Sequence, residues 1–346
     1  MYHLKPPTRV KSVERFKEFS LKPGAPAPLR HHHLKSAAMA RAGDPYTGRG
    51  PLMFNADIVA YRCRPATAME QGYDFYRNGQ SDDVIFVWAG GGWLESQYGR
   101  LRYRQDDYIV IPRGTIYRLV PDDIAKEDYL IIESTHPVRI PERYLHKEGQ
   151  IRMGAPYSER DFHGPTEIIA QDQEGDFAIL TKDRHRFTRN VMASHPHDVV
   201  GWDGYLYPFT FNANDFEPLT GTVHLPPPVH QTFEMRGFVM CTFAPRYLDH
   251  HPEAIKVPWA HDNTEADEVL FYVRGQFGSR KGVEPGSFTL HPQGIPHGPH
   301  PGTTLASMAA QRTEELAVMF DTQYPLELTA EALAMDDPNY PLSWLG

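Results

Sequence analysis

Asp83-Val84-Ile85-Phe86-Val87-Trp88-Ala89-Gly90 and Glu268-Val269-Leu270-Phe271-Tyr272-Val273-Arg274-Gly275 follow one pattern. Each opens on an acid, continues through an apolar, largely β-branched or aromatic run, and reaches glycine seven positions later. A short apolar run closed by glycine reads as a strand followed by a turn. The correspondence continues downstream: Asp106-Asp107-Tyr108-Ile109-Val110-Ile111-Pro112-Arg113-Gly114 matches Gly286-Ser287-Phe288-Thr289-Leu290-His291-Pro292-Gln293-Gly294. Three residues past those glycines stand Tyr117 and His297. Self-similarity of this kind marks a duplicated structural unit. The chain therefore reads as two copies of one β-sandwich.

The surrounding sequence agrees. Short β-rich runs such as Tyr129-Leu130-Ile131-Ile132 and Phe238-Val239-Met240-Cys241-Thr242-Phe243 alternate with turn residues from Leu52 onward. One helix is expected, over Thr329 to Met335, after Tyr324-Pro325 interrupts regular structure. The expected class is mainly β, two jelly-roll sandwich or barrel domains with few helices. The expected division is an N-terminal arm over 1–50, a first unit over 51–185, a second over 186–325 and a tail over 326–346. The arm is basic and Pro-rich and reads as a segment that wraps a partner or another part of the chain.

The 346 residues suit two domains, and 40% apolar residues are enough for a sizeable core. A net charge of −9 argues against a nucleic-acid partner. Two distant cysteines, Cys63 and Cys241, form no disulfide framework. The N-terminus carries no apolar signal region and no run reaches membrane-spanning length, so a soluble, cytoplasmic protein is expected.

Chemistry concentrates in the second copy. His261-Asp262-Asn263-Thr264-Glu265-Ala266-Asp267-Glu268 sets a histidine ahead of a strand and a glutamate at its start; Pro292-Gln293-Gly294-Ile295-Pro296-His297 adds a histidine after a tight turn. Two imidazoles and a carboxylate leave coordination positions open, which suits Fe(II) binding O₂ and a substrate together, although Mn, Ni or Zn take the same ligands. Glu265 competes for the carboxylate role; Glu268 is favoured because Asp83 occupies the matching place in the first copy. That copy offers Asp83 and Tyr117 and no histidine, and reads as structural. His291 and His300 flank His297 and are candidates to support the ligands or touch substrate. His195-Pro196-His197-Asp198 lacks a third ligand at useful spacing, and His31-His32-His33 reads as a solvated or packed loop. No GxSxG, GxxxxGK[ST] or HExxH is present, and Gly90-Gly91-Gly92 reads as a turn.

The chain resembles the homogentisate 1,2-dioxygenase family over much of its length after residue 50. Phe75-Tyr76-Arg77-Asn78 through Gly114 resembles the family's N-terminal β-domain. Asn190-Val191-Met192, Val199-Val200-Gly201-Trp202, Phe243-Ala244-Pro245-Arg246 and Thr289-Leu290-His291 through His297-Gly298-Pro299 resemble its C-terminal domain. The resemblance implies a double-cupin fold, Fe(II) held by His261, Glu268 and His297, and an active-site role for His291. It also implies a small aromatic substrate, O₂, ring cleavage beside the side chain, and a homo-oligomer (trimer or hexamer). Where the family has histidine in a Trp-His-Gly run this chain has Trp202-Asp203-Gly204, so Asp203 would accept the substrate hydroxyl proton. Phe277 stands where the family uses a tyrosine for the substrate carboxylate, and Arg280 nearby would supply a cation. Other readings are a dioxygenase for gentisate or another hydroquinone, a metal-dependent isomerase, and a non-enzymatic double cupin.

Overall fold

The computed structural model describes residues 1–222, 225, 227–277 and 280–345. Its main body is three stacked β-sheets of seven, eight and six strands. The eight-stranded sheet lies in the middle, and both its faces are covered. Its central strand, Asp82–Ala89, pairs antiparallel with Asp107–Ile111 on one side and Asp128–Ser134 on the other. Because neighbouring side chains on a strand point to opposite faces, Ile85 and Val87 pack with Tyr76, Leu94, Leu101 and Tyr117 of the seven-stranded sheet. Val84 and Phe86 pack the other way, with Phe271, Val269, Phe320 and Met240 of the six-stranded sheet. A strand covered on both faces has no polar side to present, hence the unbroken apolar run in the sequence.

The expected class is the observed one: mainly β, with few and short helices. The two copies differ in how they are closed. The first is a full sandwich of two large sheets. The second is a six-stranded sheet whose outer face, with Leu270 and Tyr272, is met by Phe277 and Val283 from the following loop. The expected helix forms over Ala330–Ala334, capped by the Thr329 hydroxyl, which accepts from the Ala332 N–H.

Several strands pair across the expected limits. Strands Arg186–Ser194 and Phe209–Asn212 belong to the first unit's sheets. The arm contributes Val10–Glu18 to the seven-stranded sheet and His32–Leu34 to the edge of the six-stranded one. In the tail, Glu327–Leu328 joins the eight-stranded sheet. The physical reason is that sheet edges carry unpaired N–H and C=O groups, and the chain's own ends satisfy them here.

Candidate metal centre

Glu268 is the second residue of strand Asp267–Arg274. Val269, Phe271 and Val273 turn into the core, which sends Glu268 to the opposite, outer face of the sheet. Directly across the sheet, on Phe288–His291, lies His291; on the other side, on Leu316–Thr322, lies Asp321. His297 follows a turn in which Gly294 adopts φ +73° and donates its N–H to the Asn263 carbonyl. That turn brings His297 back beside His261, and the two residues exchange backbone N–H···O=C bonds of 2.7 Å each. The result gathers one donor atom each from His261, Glu268 and His297 within 4.8 Å of one another.

The backbone also fixes which ring nitrogens face inward. His261 Nδ1 lies 2.6 Å from the Trp259 carbonyl oxygen and His297 Nδ1 lies 3.2 Å from that of Ile295. A carbonyl only accepts, so each Nδ1 carries the proton and each Nε2 keeps its lone pair. Among the described residues His297 Nε2, buried and 3.5 Å from Glu268 Oε1, has no hydrogen-bond partner. A buried lone pair left unused, next to a carboxylate and a second imidazole, fits a divalent first-row cation.

His291 stands behind Glu268, fully buried, its Nδ1 2.8 Å from Glu268 Oε1 and its Nε2 3.1 Å from the Tyr340 hydroxyl. Burial pushes its pKa down to about 3, so the ring is neutral. Burial opposes the charge on Glu268, but the His291 hydrogen bond holds the carboxyl well below its ordinary range. Asp321 is pushed the opposite way, first by burial and then by the charge of Glu268. The two carboxyls facing each other across the sheet are thus pushed apart, Glu268 toward the charged form and Asp321 toward the neutral one.

The structure brings the other expected residues to this site with one exception. Arg280 donates to the Gly298 carbonyl at 2.8 Å, and its charge bears on Tyr272, Tyr340 and Glu268. Phe277 is buried, its ring centroid 4.5 Å from that of Tyr272. His300 stacks on Trp344 at 4.4 Å and meets the Ser343 hydroxyl at 2.7 Å. Asp203 is the exception. It is exposed and accepts from the Tyr2 hydroxyl, because the strand before it, Val199–Gly201, pairs with the arm's Tyr2–His3 on the first unit.

Four residues here went unread in the sequence. His31, in the run taken for a packed or solvated loop, puts its ring 5.4 Å from that of His291 and 6.2 Å from that of His297. Tyr340 and Trp344 arrive from the C-terminal turn. No periodicity points to any of them. Asp321 carried one faint signal, as an acid at the end of an apolar run, but its register against Glu268 was not readable. In the first copy the matching positions also meet, with the Tyr117 hydroxyl 3.0 Å from Asp83 Oδ2. There the Arg49 guanidinium binds Asp83 and Glu133, and the Lys182 ammonium pairs with Glu133, so buried cationic side chains occupy the space.

The family model for the homogentisate 1,2-dioxygenase N-terminal domain matches residues 33–213, and that for its C-terminal domain matches 210–346. A Saccharolobus solfataricus protein, named only provisionally as a dioxygenase, is 36% identical over 99% of this chain and 88% of its own length. A homogentisate 1,2-dioxygenase of Sinorhizobium medicae is 25% identical over 89% of this chain and 68% of its own. Among solved structures, a cupin 2 conserved barrel domain protein from Leptotrichia buccalis aligns with a TM-score of 0.39 and 8% identity, over 89% of this chain and 100% of that one.

Proposed function

Because the chain belongs to the homogentisate 1,2-dioxygenase family, we propose that it is an Fe(II)-dependent dioxygenase that opens homogentisate to maleylacetoacetate. The observation that carries this reading is the convergence of His261, Glu268 and His297, with the unused buried lone pair on His297. Fe(II) held there would supply the electron exchange between a hydroxylated ring and O₂, both of whose oxygen atoms enter the product. The remaining work falls to the chain. Arg280, which also donates to the Gly298 carbonyl, is the cation assigned to a substrate carboxylate in this reading. Phe277, packed on Tyr272, and Trp344, packed on His291, would offer the substrate ring apolar surface that excludes water. His291, neutral and engaged at both ring nitrogens, holds Glu268 and has no free nitrogen for a substrate proton. Asp203, bonded to Tyr2 on the surface, is not offered to this site by its own chain. The reading includes a homo-oligomer, as the family resemblance implies.

A related hydroquinone such as gentisate is the second reading. Phe277 favours it, since an apolar ring stands where a hydroxyl would meet the homogentisate side chain. The test is oxygen uptake by protein loaded anaerobically with Fe(II) and given each acid in parallel. Uptake with homogentisate and a new enol-diketone absorbance supports the first reading; uptake with gentisate alone moves the substrate. His261→Ala should stay folded, lose iron and lose uptake. Iron and turnover retained in that variant would sink the metal assignment.

A further inference from the structure

The Tyr340–Leu345 turn reaches the metal centre from the C-terminal end of the chain. We propose that Tyr340 is a positioning residue of that centre: its hydroxyl holds His291 in the tautomer that donates to Glu268, and so fixes the direction of the carboxylate ligand. The inference rests on the metal reading above.

Donors and acceptors set the tautomer. An ionised carboxylate only accepts, so the 2.8 Å contact between His291 Nδ1 and Glu268 Oε1 places the ring proton on Nδ1. Nε2 is then a lone pair and needs a donor. The donor supplied is the Tyr340 hydroxyl at 3.1 Å. His291 is 0% exposed and Tyr340 4%, so no bulk water stands ready to replace that bond. The two rings lie nearly parallel, 18° apart, with centroids at 6.3 Å.

Tyr340 is itself held from both ends of the chain. Its N–H donates to the Asp337 carbonyl at 3.2 Å, and Asp337 N–H donates to the His33 carbonyl at 2.8 Å. Its ring packs against His33 at 5.3 Å and Trp344 at 5.2 Å. The tyrosine is thus pinned by the arm, and the histidine by the tyrosine. Without the hydroxyl, Nε2 would be an unmatched buried lone pair, and the ring would lose its reason to keep the proton on the Glu268 side. A group bonded directly to a metal ligand, as His291 is to Glu268, is worth roughly 10- to 100-fold in metal affinity, and Tyr340 acts on that bond from one step behind.

Tyr340→Phe keeps the ring packing and removes only the hydroxyl. The measurements are Co(II) affinity by chelator competition, the visible d–d spectrum of the Co(II) form, and the ring-nitrogen NMR shifts of ¹⁵N-histidine in metal-free protein. We expect about a tenfold or greater loss of affinity, an altered spectrum, and a His291 signal that leaves the Nδ1–H pattern. Circular dichroism and the thermal midpoint of the metal-free variant should stay near wild type, which separates positioning from loss of fold. Should Tyr340→Phe fold poorly, the wild-type His291 shifts alone still decide, since a proton on Nε2 there overturns the proposal. If wild type takes up no Co(II), the metal reading fails and this one with it. If wild type binds and Tyr340→Phe binds equally with an unchanged spectrum, only the positioning role is overturned.

Discussion

Glu127 lies beneath the Gly90-Gly91 turn, where it accepts the Gly91 N–H at 2.9 Å and the Tyr129 hydroxyl at 2.5 Å. A Cβ on Gly90 would sit 2.5 Å from its carboxyl, and Gly90 adopts φ +100°, so glycine is required there twice over. Burial raises the Glu127 pKa to about 7. Between its ordinary value near 4.5 and about 7 the folded chain keeps a proton that the unfolded chain releases. Stability therefore falls as pH rises through that window, and the loss is complete above it. Glu127→Gln cannot ionise, so it should melt several degrees above wild type at pH 8 and show little difference at pH 4. An equal melting temperature at pH 8 would mean that the two hydrogen bonds already carry the charge. At this scale much was legible. The repeat matched Asp83 to Glu268 and Tyr117 to His297, and within each unit the two residues meet, Asp83 with Tyr117 and Glu268 with His297. What fills the first pair's space was not legible, because Arg49 comes from the arm and shares no spacing with the repeat.

The strand His32–Leu34 shows where reading by element stops. Three residues carry no period, and the partner strand Phe288–His291 lies some 250 positions away. What holds this strand is Asp336, which accepts from Arg30 at 2.6 Å, His32 Nδ1 at 2.7 Å and the His33 N–H at 3.0 Å. Its side chain is only 3% exposed. Removing one partner of a fully buried charged pair costs about 3–5 kcal/mol, and less here, where the Arg30 side chain is 26% exposed. Asp336→Ala should therefore release the strand locally, and amide exchange over 30–36 should accelerate while Asp82–Ala89 stays protected. Unchanged exchange there would show that the Leu34 backbone pairing suffices. By contrast, the helix over Ala330–Ala334 was legible, because a Thr cap and a preceding Pro are local chemistry. Long-range edge pairing leaves no local trace.

At the scale of the molecule, the duplication was readable but the sharing of one sheet between two cores was not spelled out by it. The hint was the unbroken run Val84-Ile85-Phe86-Val87, whose residues divide between the two cores. Phe271 stands at the junction. Its ring meets Trp88 at 5.6 Å and Phe86 at 6.5 Å, and the Arg62 guanidinium lies 5.1 Å from its centroid. The Trp88 indole N–H donates to the Val273 carbonyl at 3.1 Å, and Tyr108 and Thr242 join hydroxyls at 2.8 Å across the same seam. Units joined through one contiguous core should unfold together rather than in turn. Phe271→Ala opens a cavity in that shared layer and should cost about 3–5 kcal/mol. Calorimetry of the metal-free protein should show one transition in wild type and one, displaced downward, in the variant. The outcome that defeats this is two resolved transitions of which only the second unit's moves, because the eight-stranded sheet would then stand without the six-stranded one against it.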